Sequence, residues 1–219
     1  MVYQILFIVL LLVFLWRVYS CIPNRIKPFK STTRISIEKP INTLVVLGSG
    51  GHTTEMCTLV QSLIKEKRNS IPLYQFTFLI AQTDNKSADF ATTKLSKDLG
   101  PLKIHYIPRS REVKQSLVSS IFTTLWAFLK TVRLTLFEVQ PDLILVNGPG
   151  TCVPICVNAY IAKFFGKMIK IIYVESLARV RKLSTTGWIM RFMADRLIVQ
   201  WKPLFSKHSP QVDYVGRLC

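Results

Sequence analysis

The sequence contains no CxxC pair, no GKS or GKT tripeptide, no internal repeat and no low-complexity tract. The first absence removes the usual zinc and thiol-redox spacings. The five cysteines, Cys21, Cys57, Cys152, Cys156 and Cys219, therefore read as small hydrophobes of a reducing compartment. The second removes a P-loop. Acidic residues are also scarce: 12 Asp and Glu stand against 29 Lys and Arg, a formal charge of +17. A surplus of that size implies an anionic partner, whether nucleic acid, an acidic membrane face or a phosphorylated substrate. The basic residues are spread over a linker, loop segments and helix ends rather than interleaved with aromatics on one face, so no nucleic-acid partner is expected. No pair of carboxylates is arranged for a metal, and neither a metal nor a cofactor is expected.

Charge is missing altogether from residues 2–16, and nothing basic precedes that run. A cleaved signal peptide would carry a basic leader and a small-x-small cleavage site. Here Arg17, Arg25, Lys27, Lys30 and Arg34 follow the apolar stretch instead. Arg17 can snorkel, and Val18 and Tyr19 extend the span to about 18 residues, near the minimum for crossing a bilayer. The expectation is a retained anchor over residues 1–19, its N-terminus lumenal and the remainder cytosolic. Residues 20–42 form a basic, proline-containing linker suited to anionic headgroups, and residues 43–219 form one domain.

Within that domain, strand signals recur at 43–47, 74–81, 103–107, 142–146, 170–174, 196–200 and 212–215. Helix-length segments at 53–68, 85–98, 113–139, 152–166 and about 184–194 separate most of them. The alternation predicts an α/β fold with a doubly wound, mainly parallel Rossmann-like sheet behind one transmembrane helix. The helix expected over 113–139 is apolar on more than one face, which suits either burial on the sheet or an outer face dipping into the membrane.

Four loops follow strand C-terminal ends, where open α/β sheets place ligands. The first, Gly48-Ser49-Gly50-Gly51-His52-Thr53, joins an apolar strand to a helix N-terminus, a natural anion site. It is not a dinucleotide fingerprint, because in GxGxxG phase Thr53 occupies the third glycine position. His52 can donate to a phosphate or act as a base. The second, Pro108-Arg109-Ser110-Arg111, offers two guanidinium forks to a diphosphate, unless it is a solvated basic turn. In the third, Asn147-Gly148-Pro149-Gly150-Thr151, the glycines permit close backbone approach and Thr151 is expected to cap the next helix. The fourth begins with Glu175, a carboxylate among basic groups that is either a site residue or a counter-ion. Together the loops make a basic, glycine-lined crevice beside a membrane anchor, suited to a lipid-linked phosphate or diphosphate.

Five spaced segments resemble one family: Gly48-Ser49-Gly50-Gly51-His52-Thr53 with Glu55 and Met56; Pro108-Arg109-Ser110-Arg111-Glu112-Val113 with Gln115 and Ser116; Asn147-Gly148-Pro149-Gly150-Thr151; Tyr173-Val174-Glu175-Ser176 with Arg179 and Val180; and Val199-Gln200-Trp201. The family is the membrane-anchor subunit of the eukaryotic UDP-N-acetylglucosamine transferase acting on dolichyl-diphosphate-linked N-acetylglucosamine. The resemblance implies the N-terminal, acceptor-binding half of a split GT-B glycosyltransferase on the cytosolic face of the endoplasmic reticulum membrane. A separate cytosolic subunit would bind the sugar nucleotide. It further implies that Ser49, Gly50, Gly51, Thr53, Arg109, Ser110, Arg111, Asn147, Gly148 and Gly150 face the acceptor diphosphate. His52 and Glu175 are the candidate bases, and the tail Gly216, Arg217, Leu218 and Cys219 would dock the partner. Lys202-Pro203-Leu204 stands where Pro-Glu-Leu is expected in relatives, and no site role is assigned there. The competing classes are a scaffold that only recruits a cytosolic enzyme, and an NAD-dependent reductase, which would need the missing third glycine.

Overall fold

A computed structural model describes residues 2–23, 39–68, 71–109, 117–148 and 150–218. The apolar N-terminal run forms α1 (Val2–Cys21), long and apolar enough to cross a membrane and scarcely buried by the rest of the chain. β1 (Ile41–Val46) leads into α2 (Gly51–Ile64), two residues earlier than periodicity predicts, so His52 lies in the first helical turn. The segment expected to finish that helix instead forms a small antiparallel hairpin, β2 (Lys67–Arg68) with β3 (Ile71–Pro72). Then follow β4 (Tyr74–Ala81), α3 (Asn85–Leu99), β5 (Ile104–Ile107), α4 (Leu117–Arg133), β6 (Leu143–Asn147) and α5 (Cys152–Phe164). β7 (Lys170–Val174), α6 (Thr185–Met193), β8 (Arg196–Val199), α7 (Lys202–His208) and β9 (Asp213–Tyr214) complete the order.

Seven strands form one parallel sheet in the order β5-β4-β1-β6-β7-β8-β9. The chain builds outward from β1 to β5, crosses over through α4, then builds outward from β6 in the other direction. This is the doubly wound arrangement expected, and its point of reversal lies between β1 and β6. Alternate residues of β1 serve opposite faces. Val45 and Leu47 pack with Met56, Val60, Ala91 and Leu95 of α2 and α3. Leu44 and Val46 pack with Ile155, Cys156 and Ala159 of α5 on the other side. Cys57, Cys152 and Cys156 are buried as small hydrophobes, and burial raises the Cys57 thiol to about 11 and that of Cys156 to about 12.

Other expectations also needed correction. The helix foreseen across 113–139 is α4 followed by a π-helical turn, Leu134–Val139, closed by Gln140 in the left-handed region; residues 113–116 lie outside the described residues. The wide turn re-phases the apolar positions, turning Leu134 and Val139 inward while Phe137 stays exposed. Helix α7 was not foreseen. It is short, and Pro203 there occupies the first turn, where its missing N–H costs nothing. Thr151 is in helical conformation and makes no capping hydrogen bond to α5.

The N-terminal helix touches the domain. Arg17 donates from Nε to the Phe164 carbonyl at 2.9 Å and from its guanidinium to the Lys163 carbonyl at 3.2 Å. Both carbonyls lie at the negative end of α5, where a cation is favoured, and that of Lys163 also accepts from the Gly166 N–H at 2.9 Å. Phe14 packs on Phe164 with ring centroids 5.5 Å apart.

Candidate functional site

At the reversal point two helices, α2 and α5, begin side by side after β1 and β6, and neither has a side-chain cap at its N-terminus. Both N-termini thus present N–H dipoles to the same crevice. Gly50 sits at φ 61° and Gly148 at φ 54°, a backbone region that favours glycine. Gly148 also lies against the His52 ring so closely that a Cβ there would overlap it. The first and third loops are therefore packed on each other, not merely adjacent. Asn147 reinforces the contact: its Nδ2 donates to the His52 carbonyl at 2.9 Å.

Ser49, Gly50, Gly51 and Gly150 are exposed on the rim, and His52 is partly exposed among them. Its Nδ1 is buried with no hydrogen-bond partner and faces Glu55 Oε2 at 4.0 Å. Glu55 was part of a recognised motif but carried no expected role. In the structure it joins three loops. Its Oε1 accepts from the Ser176 hydroxyl at 2.8 Å and the Leu177 N–H at 3.2 Å, and its Oε2 accepts from Asn147 Nδ2 at 3.4 Å. These bonds hold the second oxygen toward the imidazole. The signal that could have found it was its position three residues after His52, which puts both on one helix face.

Two residues expected to face the crevice are turned inward. The Thr53 hydroxyl bonds the Gly48 carbonyl and Ser87 Oγ, and its N–H goes to the Gly50 carbonyl at 3.0 Å. Its polar groups hold the glycine turn closed. Glu175 is 1 % exposed. Its Oε1 accepts from the Tyr173 hydroxyl at 3.3 Å and the Ser176 N–H at 3.2 Å, and its Oε2 from the Ser184 N–H at 3.0 Å and hydroxyl at 3.2 Å. A Cβ at Gly187 would collide with that carboxylate, so the start of α6 closes over it. Burial, with the Glu175 charge adding to it, drives the Tyr173 phenol far above its ordinary range. Tyr173 thus stays protonated and able to donate.

Arg109 is partly exposed after β5, and Arg179, Arg181 and Lys182 are exposed on the fourth loop. Ser110, Arg111 and Cys219 lie outside the described residues. The tail folds back onto the rim. The Leu218 N–H donates to Gln200 Oε1 at 2.9 Å, and Gln200 Nε2 donates to the Glu175 carbonyl at 3.0 Å. Arg217 stacks over Trp201 at 4.4 Å, and Leu218 packs beside Ile172 and Ile198. Gln200 is a further link that sequence reasoning assigned no role. Among the described residues no three His, Cys, Asp or Glu side chains gather as a metal site.

Uncapped helix N-termini meeting at the switch point of a parallel sheet define a Rossmann-like doubly wound domain, and its fold is like that of GT-B proteins. The solved structures agree. MurG from Acinetobacter baumannii superposes with a TM-score of 0.52 at 18% identity, over 74% of this chain and 42% of its own length. A UDP-GlcNAc 2-epimerase from Neisseria meningitidis superposes at 0.51 and 17%, over 80% of this chain and 45% of its own. The chain spans less than half the length of either. Residues 43–218 match the family described as oligosaccharide biosynthesis protein Alg14 like, and the chain belongs to that family. Among named relatives, UDP-N-acetylglucosamine transferase subunit ALG14 of Mus musculus is 40% identical over 96% of this chain and 93% of its own. The Homo sapiens subunit is 42% identical over 84% and 86%. That of Schizosaccharomyces pombe is 39% identical over 85% and 89%.

Proposed function

We propose that this chain is the membrane-anchoring, acceptor-binding subunit of a two-subunit N-acetylglucosaminyltransferase. It recruits a cytosolic, donor-binding subunit to the endoplasmic reticulum membrane and is inactive alone. The pair adds the second N-acetylglucosamine to dolichyl-diphosphate-N-acetylglucosamine. Residues 1–19 serve as the anchor with a lumenal N-terminus, 20–42 as a basic linker at the headgroups, and 43–219 as the Rossmann-like acceptor-binding domain with its docking tail. The observation that carries this is the crevice at the β1–β6 reversal in a chain of this family, one that superposes on less than half of each longer neighbour. In this reading a second subunit supplies the donor side of the cleft.

In this scheme the acceptor diphosphate rests on the N-termini of α2 and α5, with Ser49, Gly50, Gly51, Gly148 and Gly150 allowing its approach and Arg109, Ser110 and Arg111 pairing its charge. The acceptor's 4-hydroxyl attacks the anomeric carbon of the donor. The bond to UDP breaks, and the hydroxyl proton passes to His52. Glu55 supports the reading: its Oε2 lies 4.0 Å from His52 Nδ1, and an Nδ1–H directed at that carboxylate would leave Nε2 to accept the proton. Asn147 keeps His52 and Glu55 in register. Glu175 acts as a brace under the fourth loop and not as the base. The tail, Gly216 to Cys219, docks the partner, with exposed Val215 beside it.

The test is reconstitution. The full chain in membranes should co-purify with a stoichiometric small cytosolic protein, and the pair should transfer N-acetylglucosamine from UDP to the lipid acceptor. Removing 216–219 should release the partner. Full turnover by this chain alone would overturn the split-enzyme reading.

A further inference from the structure

Between α4 and α5 lies a groove of about 440 Å³, lined by Ile121, Leu125 and Phe128 on one side and Val153, Pro154 and Val157 on the other. Thr124 is its one polar lining residue. Its size falls in the range of small-molecule clefts, and its lining is nearly all hydrocarbon. Neither the catalytic scheme nor the fold requires it to stay open.

Its position is informative. Both helices start at the strand C-terminal rim, and Val153 and Pro154 form the first turn of α5, immediately after the loop Asn147–Thr151. One end of the groove therefore opens at the proposed diphosphate cradle. Along α4 the groove runs into an exposed apolar face of Ile121, Phe122, Leu125, Trp126 and Leu129, all more than half exposed. That face ends at Lys130, whose ammonium lies 4.7 Å from the Trp126 ring centroid, and at Arg133. An apolar helix face with cations at its end suits contact with a lipid surface. The same side of the sheet carries the contact between α1 and α5.

We propose that this groove holds the first isoprene units of the acceptor's polyisoprenyl chain, guiding the lipid from the bilayer to the crevice. The inference rests on the function proposed above. A diphosphate on the α5 N-terminus is covalently joined to its first isoprene. That unit must leave the crevice within a bond or two, and the groove is the apolar exit beside it. Tethering makes the local concentration of isoprene there high, so even modest apolar contact is productive. A phospholipid acyl chain has no such tether to the rim.

The experiment uses the full chain with its partner in nanodiscs and two acceptors, N-acetylglucosaminyl-diphosphates esterified to a long polyisoprenyl chain and to a methyl group. Val157→Trp, which fills the groove from a partly exposed position, should raise the apparent KM for the long-chain acceptor by about tenfold. It should leave the methyl-diphosphate acceptor and UDP-N-acetylglucosamine within about twofold. Leu125→Gln, on the exposed wall, should act in the same direction. Equal effects on both acceptors, or none, would overturn the groove assignment, whereas wild-type failure to use either acceptor would overturn the function itself. A readout free of turnover is photolabelling of the wild-type chain by a diazirine-bearing polyisoprenyl phosphate. Labelling within 121–128 and 153–157 that polyisoprenyl diphosphate displaces and excess phospholipid does not supports the proposal. Labelling confined to α1, or displaced by phospholipid, refutes it.

Discussion

Around Glu55 and around Glu175 the rim is built from the same materials, a carboxylate at a loop junction with serine and backbone N–H donors, yet the two regions differ in what they leave open. At Glu175 every oxygen is engaged from within, by Tyr173, Ser176 and Ser184, and Gly187 lets α6 close over the group. At Glu55 both oxygens are also engaged, one by Ser176 and Leu177 and the other by Asn147 Nδ2, and what is left open is His52 Nδ1, 4.0 Å away and with no hydrogen-bond partner. A closed network of this kind stabilises a loop. An open one holds a side chain ready for something that arrives. Ser176 touches both carboxylates, so the brace and the open pair share a wall.

This contrast can be broken from either side. The largest effect is expected at the closed region: Glu175→Ala leaves Tyr173 and Ser184 without their acceptor and should lower unfolding free energy by about 4 kcal/mol. Denaturant melts would measure it, and an unchanged midpoint would mean the network is dispensable. Next comes His52→Ala, expected to cut turnover of the reconstituted pair by roughly 100-fold with complex formation and melting intact. Near wild-type turnover would favour a scaffold. Glu55→Gln keeps the shape and removes the charge. We expect about a tenfold fall in turnover, with little change in stability. A melt as damaged as that of Glu175→Ala would make the two regions alike after all. Smallest is the double change Arg109→Ala and Arg111→Ala, expected to raise the apparent KM for the lipid acceptor several-fold more than for UDP-N-acetylglucosamine. Equal shifts would remove these arginines from acceptor binding.

The sheet could be read from the sequence because its strands are apolar runs separated by helix-length segments, and β1, β4, β6 and β7 fall within a residue or two of where that pattern puts them. What escaped was structure whose cause is not periodic. α7 is short and begins with a lysine and a proline, and the π-helical turn is one wide loop of backbone inside an otherwise helical pattern. The rim loops were recognisable by their glycines, but the direction of their side chains was not. Thr53 and Glu175 turn inward because of Ser87 and Ser184, and Glu55 is aimed by residues 121 and 122 positions further on. Such orientation is a property of loops meeting in space, which one strand–loop–helix segment does not carry by itself.

The bonds from Arg17 to the end of α5 make the N-terminal helix a bracket more than a leash. A leash fixes only how far a domain can wander, and its length is what matters. A bracket fixes tilt. The polypeptide between α1 and β1 could then be lengthened or shortened with little consequence, while loss of the single guanidinium at position 17 would let the domain swivel about its mount. Under the proposed function the substrate is confined to two dimensions, and the angle of presentation then sets what fraction of encounters can be productive.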